Sequence, residues 1–130
     1  MALCKSYKAE ILQGVHTLSD VYKIALYSSS ATLDENTTVY SATNEIVAAG
    51  YVAGGATLTN ATVGFSGSAA VLDFDDVTYT NCSIVARKGL VYNSSKGNKA
   101  VSVVDFGTDT GVVGTGTVVI QIPSGIVKLS

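Results

Sequence analysis

The run from Leu90 to Gly107, LVYNSSKGNKAVSVVDFG, places a small polar cluster between two apolar segments. Three readings compete for Ser94–Lys99: a phosphate-cradling loop, a glycan acceptor and the tip of a hairpin. A phosphate loop needs a glycine-rich turn that leaves a strand and enters a helix, with Gly-Lys-Ser/Thr at its end. Here Gly97 is followed by Asn98-Lys99-Ala100 and then VSVVDF, a strand pattern, so no helix N-terminus would face a phosphate. Short loops containing Gly and Asn are the usual hairpin connectors. The stretch therefore predicts a hairpin, with Leu90 and Tyr92 sharing one face of the incoming strand and Val101 and Val103 sharing one face of the return. Lys96 and Lys99 are expected at its exposed end, available to a partner.

Outward from this hairpin, the chain keeps the same character. Glycine occurs 13 times and proline once, and 28 residues are serine or threonine. Hydroxyl residues, valines and glycines favour strands and tight turns. Upstream, CSIVARKGLVY (82–92) is the incoming strand, AAVLDF (69–74) alternates with Asp73 opposite Leu72 and Phe74, and ATLTNATVGF (56–65) precedes it. GYVAGG (50–55) reads as a glycine-flanked link, residues 29 to 49 are irregular with a brief turn capped by Thr32, and DVTYTN (76–81) reads as a bridge. Downstream, TDTGVVGTGT reads as a glycine-rich turn before a last extended run, 117–129, which Pro123 breaks or sends to an edge. VYKIALYS (21–28) is apolar on both faces and is expected to be central or covered. Leu3, Tyr7, Ile11 and Val15 recur at a spacing of four, predicting one helix over about 3–15 that lies across a sheet. The expectation is a single all-β domain, a sandwich of jelly-roll or Ig-like type with six or seven strands and one short N-terminal α-helix. A chain of 130 residues is long enough to bury its own core.

Charge and cysteine usage exclude several function classes. Eight basic residues against ten acidic ones leave a net charge of −2, without the concentrated positive field that nucleic acid requires. Cys4 and Cys82 are expected as small buried residues, and one histidine, His16, is too few for a His/Cys metal site. MALCKSYKAEIL carries lysines and a glutamate where a secretory signal needs an apolar run, so synthesis and folding in a cytoplasm are expected. No apolar run reaches membrane-spanning length.

Candidate chemistry is sparse. Asn36, Asn60, Asn81 and Asn93 each open an Asn-X-Ser/Thr acceptor, read here as turn and strand-edge chemistry. Asp109-Thr110-Gly111 matches the short aspartic-protease signature, but Gly107-Thr108 separate it from its strand and a homodimer would be needed to pair the carboxylates. Asp73, Asp75 and Asp76 could attract calcium, although nothing like the twelve-residue loop surrounds them. His16 follows a helix end, where an imidazole suits the dipole, and it assembles no catalytic triad. Tyr40, Tyr51 and Tyr79 fall in loops, so they are candidate contacts to protein or sugar; the competing reading has them cap the ends of the core. Neither enzyme activity nor a cofactor is expected.

Three segments together carry a family likeness: ILQGVHTLSDVYKIALYSSSATL (11–33), TTVYSATNEIVAAGYVAGGATLT (37–59) and ARKGLVYNSSKGNKAVSVVDFG (86–107). In that order they resemble small virion structural proteins of tailed bacteriophages, over roughly residues 4 to 107. Their markers are the YKIALY strand, the GYVAGG link and the LVYN hairpin. The resemblance implies a place on the virion, with synthesis in the bacterial host. It implies a capsid decoration or cement role toward the major capsid protein, as a homo-oligomer and plausibly a trimer. A tail or head–tail junction component of the same virion is the alternative, and a carbohydrate-binding module on a fibre is the alternative of another class.

Overall fold

The structure, a computed structural model, describes residues 2–121 and 126–129. It is built on strands with one short helix, so the all-β expectation holds. The elements are β1 (Ala2–Leu3), α1 (Lys5–Leu12), β2 (Tyr22–Tyr27), β3 (Ala56–Thr57), β4 (Thr62–Ser66), β5 (Ala69–Asp73), β6 (Val77–Cys82), β7 (Val85–Asn93), β8 (Lys99–Gly111), β9 (Gly116–Ile120) and β10 (Val127–Leu129). Hydrogen bonding groups them into three antiparallel sheets. Their orders are β1-β8-β7-β2-β3, β10-β5-β4 and β6-β9. One apolar cluster, drawn from residues between Cys4 and Val127, unites all three sheets.

The hairpin read from the sequence is the centre of the largest sheet. β7 and β8 pair from Asn93↔Lys99 back to Val85↔Gly111, and β2 lies on the other side of β7 from Tyr22↔Asn93 to Tyr27↔Lys88. The tip is one 3-10 turn, Ser94–Lys96, which Asn93 caps by accepting from the Ser95 N–H and which Gly97 closes in the left-handed region. Every residue from Gly89 to Asn93 is buried, so both faces of this strand are covered and not only one. A slip between Val91 and Tyr92 sets Tyr92 opposite Ala100. Bulges of this kind bend the strand and add to its twist.

Several boundaries move from their expected places. The helix is α1, eight residues long: Leu3 belongs to β1, and Gly14 adopts φ +72° just beyond the end. Of the expected stripe, Tyr7 is buried and Ile11 half-buried, but neighbouring Leu12 is 90% exposed. The 56–65 run breaks into β3 and β4 around Asn60 at φ +55°. The bridge at 76–81 is itself a strand, β6, which pairs with β9, and the turn at 108–111 is the far end of β8. The turn at 34–36 is held by Asp34 and Thr37 rather than capped by Thr32: Asp34 accepts from the Asn36 N–H and Thr37 from the Asp34 N–H. The break expected at Pro123 lies outside the described residues.

Where β3 ends, the edge of β2 is sealed by the loop that follows residue 41. The Ile46 N–H donates to the Leu26 carbonyl at 3.0 Å, and the Leu26 N–H donates to the Tyr51 hydroxyl at 3.0 Å. Gly55, at φ +83°, crosses so closely over β2 that a Cβ there would lie 1.9 Å from the Ile24 carbonyl oxygen. The glycine-flanked link thus exists because two backbones touch. No helix among the described residues is long and apolar enough to cross a membrane.

Candidate functional site

Two polar centres and one apolar cavity contain most of the chemistry. The first centre is Glu45, half-buried in the loop that seals β2. Its Oε1 accepts from the Tyr40 hydroxyl at 2.5 Å, and its Oε2 accepts from the Tyr51 hydroxyl and, at 2.8 Å, from the Gly54 N–H. Tyr92 stacks on Tyr40 with ring centroids 4.7 Å apart and donates to the Gly54 carbonyl. Tyr27 donates to the Ser41 carbonyl at 2.7 Å. Tyr79 packs 6.1 Å from the Tyr51 ring, with its hydroxyl buried and unbonded. Burial, and next the nearby Glu45 carboxylate, pushes the Tyr79 phenol up to about 12. Burial likewise raises Tyr51 and Tyr40, reinforced by the hydrogen bonds each gives to Glu45.

Tyr40, Tyr51 and Tyr79 are therefore brought together, and they are half-buried against the core. The hydroxyls of Tyr40 and Tyr51 are engaged inside the molecule, on Glu45. Glu45, the hub, was missed. Its signal in the sequence is slight, a lone acid with Tyr40 five residues before it and Tyr51 six after it.

The second centre runs along one end of the central sheet. His16, whose side chain is 2% exposed, places Nε2 2.9 Å from Glu10 Oε1 and Nδ1 2.9 Å from Asn93 Nδ2. The Asn93 amide, fully buried, also donates to Asp20 at 2.8 Å, while its oxygen accepts from the Ser95 N–H at 3.0 Å. That pair of partners fixes the amide orientation, so Nδ1 of His16 accepts and Nε2–H donates to Glu10. Lys96 Nζ reaches both oxygens of Asp20 at 2.8 and 2.9 Å, and the Thr17 N–H donates to it at 3.0 Å. Burial opposes charge on Asp20. Hydrogen bonds from Lys96, Asn93 and Thr17 outweigh it and hold the carboxyl well below the usual carboxylate range.

Lys96 is ion-paired with Asp20, and Lys99, half-buried, pairs its backbone with Val39 beside the hairpin. His16 does not merely trail a helix end; it ties α1 to the turn of the hairpin.

The remaining candidates do not converge. Asp73 accepts from the Phe74 N–H at 2.9 Å, Asp75 accepts from Asn60, and Phe74 points inward as expected. No group of three or more His, Cys, Asp or Glu side chains among the described residues is arranged to hold a metal ion. Asp109 stands 64% exposed on β8, with Arg87 lying 3.8 Å from both it and Asp105. Cys4 and Cys82 are buried free thiols, and burial, then Asp34 and Glu10, pushes the Cys4 thiol up to about 11. Asn60 and Asn81 both have positive φ, Asn60 between β3 and β4 and Asn81 at the irregular end of β6.

The cavity, of about 190 Å³, lies between α1 and the β10-β5-β4 sheet. Tyr7, Ile11 and Tyr22 face Val63, Leu72 and Val127 across it, with His16 and Leu18 also in the wall. Comparison of the chain with known protein families, curated proteins and solved structures finds no match.

Proposed function

We propose that the chain is a structural virion protein of a tailed bacteriophage, a capsid decoration or cement protein that adds to the assembled head as a homo-oligomer, a trimer on this reading, against the major capsid protein. The observation that carries this reading is the uncovered edge at β4. Val63 and Phe65 share the face on which Leu72 and Val127 join the core, since Val63 pairs with Leu72 and Leu72 with Val127. Yet Val63 is 63% exposed and Phe65 82% exposed. β4 pairs only with β5 among the described residues, so its outer backbone is open to strand addition. An apolar face on an open edge suits a chain that completes its fold against a larger assembly, where repetition multiplies a modest contact.

The sugar-binding alternative is weakened at Glu45, because the Tyr40 and Tyr51 hydroxyls are turned onto that carboxylate and the Tyr79 hydroxyl is buried beside them. Quantitative mass spectrometry of purified virions, with labelled antibody locating the protein, tests the reading. Copies numbering on the order of hundreds and spread over the head are expected, because a cement protein follows the symmetry of the shell. A count of about six or twelve at one vertex would move the protein to the tail or head–tail junction.

A further inference from the structure

The chain's one histidine joins two parts of the fold through opposite sides of its ring. Nε2–H donates to Glu10 on α1, and Nδ1 accepts from the Asn93 amide at the hairpin turn, both at 2.9 Å. These two bonds respond to a proton in opposite ways. A proton taken up at Nδ1 makes that nitrogen a second donor, set against the Asn93 amino group with no lone pair between them. The bond to Glu10 instead becomes charge-assisted and stronger. Asn93 cannot turn over to offer its oxygen without losing the Ser95 N–H from that oxygen and the donation of its amino group to Asp20. The groups facing the ring divide in the same way. Glu10 and the Tyr7 ring, 4.7 Å away, both belong to α1. Tyr22 shares the groove wall with His16, and behind Asn93 the charge of Asp20 is matched by Lys96. Burial raises the Tyr7 and Tyr22 phenols and hydrogen bonds hold Asp20 low, so these three keep their charge between about pH 5 and 8, where an ordinary imidazole changes its own.

We propose that His16 is a proton-operated latch: neutral, it fastens the end of α1 to the hairpin turn, and on taking a proton at Nδ1 it lets go of Asn93 and moves away with Glu10. The side chain is 2% exposed, so an imidazolium kept in place would be a buried charge facing a donor, and leaving relieves both costs. The moving piece is the last turn of α1 with residues 13–16. Leu12 is 90% exposed there, and Gly14, at φ +72°, has nothing within 4 Å of a built Cβ, so little packing resists the motion. Both flanks stay anchored. The Cys4 N–H donates to the Val101 carbonyl at 3.0 Å and the Lys5 N–H to the Glu35 carbonyl at 2.8 Å, while Asp20 remains on Lys96. Opening widens the groove between α1 and the β10-β5-β4 sheet, whose wall includes Ile11 and His16. This inference does not depend on the virion reading.

The test is a pH titration of the full chain by NMR between about pH 8 and 5, a window above the ordinary carboxylate range. At the upper end the ring nitrogens of His16 are expected to show the Nε2–H tautomer. On acidification the ring, the Asn93 side-chain amide, the Ser95 N–H and the amides of residues 11–16 should shift with one shared midpoint. Through-space contacts from the ring to Asn93 should fade while those to Glu10 persist. Protection of the Asn93 side-chain amide against exchange should fall about tenfold, the worth of one hydrogen bond, with the Leu90 and Val103 amides unaffected. His16→Gln, which has no titrating proton, is expected to lose the step; where that variant does not fold, the wild-type contacts decide. An Nδ1–H tautomer at the upper end or a ring neutral throughout the window would overturn the proposal. So would a ring that titrates with its Asn93 contacts intact, or the same step in folded His16→Gln.

Discussion

Asp20 and Glu45 are both carboxylates ringed by donors: Asp20 joins Thr17 to Asn93 and Lys96 far along the chain, whereas Glu45 gathers Tyr40, Tyr51 and Gly54 from its own loop. Because the Asp20 carboxyl is held below its ordinary value, its contribution is present above that value, about 3.9, and is lost as pH falls through the folded one. Urea midpoints of the wild type should thus fall as pH drops from about 4. Asp20→Asn should lower the midpoint at pH 7, and its deficit should narrow on the acid side. Parallel curves for the two proteins down to about pH 2 would remove the ion pair from the account. At Glu45, glutamine presents an N–H₂ where Tyr51 or Gly54 now donates, so Glu45→Gln should cost about 1–3 kcal/mol by urea denaturation. His16 and Asn93 show how far such centres lie from sequence reading. His16 was legible as a single histidine near a helix end, but its partners come from α1 and from the hairpin, and no spacing rule joins Glu10 to Asn93.

Elements were legible where their pairing is local and obscure where it is not. The β7–β8 hairpin follows from a short Gly/Asn loop between apolar runs, and the structure pairs it as read. β6 has the same β-branched and aromatic content but only alternate half-burial, and its partner β9 lies beyond the whole hairpin, so DVTYTN (76–81) reads as a connection. Leu3 and Val15 fit the four-residue spacing of a helix longer than α1, whereas Leu3 pairs with Ser102 in the central sheet. The GYVAGG link was legible as glycine-dependent, though not the contact that demands it. Gly55→Ala should be severe, on the order of 3 kcal/mol or more, since the new methyl meets the Ile24 backbone and φ is positive. Gly67 has nothing within 4 Å of a built Cβ, so Gly67→Ala should cost only the positive-φ penalty, about 1 kcal/mol. Comparable thermal unfolding of the two variants would show that the crossing over β2 yields.

For the whole molecule, the unequal cover of the sheets is the main feature. β7 is buried on both faces from Gly89 to Asn93, whereas β4 has four of its five residues exposed. On the proposed function, stability and interaction fall in different parts of the chain, so they should respond to different mutations. Phe65→Lys should leave the melting temperature within about a degree or two, as surface changes usually do, yet sharply reduce the protein's occupancy on particles when added to undecorated heads. Leu90→Ala, at a fully buried position in β7, should do the reverse for any folded fraction, costing about 2–5 kcal/mol. Loss of melting temperature in Phe65→Lys without loss of occupancy would assign β4 to the core instead.

The burial of Asn93 has a practical consequence for making the protein. Asn93-Ser94-Ser95 is a glycan acceptor in sequence, yet the amide nitrogen that would receive the sugar is inside the fold, between His16 and Asp20. A eukaryotic secretory host modifies such triplets while the chain is still extended. A sugar attached there could not enter the closed hairpin turn, so export of this chain through an endoplasmic reticulum would trade the native state for a permanently open one. The route of synthesis, and not only the sequence, decides whether this fold is reached.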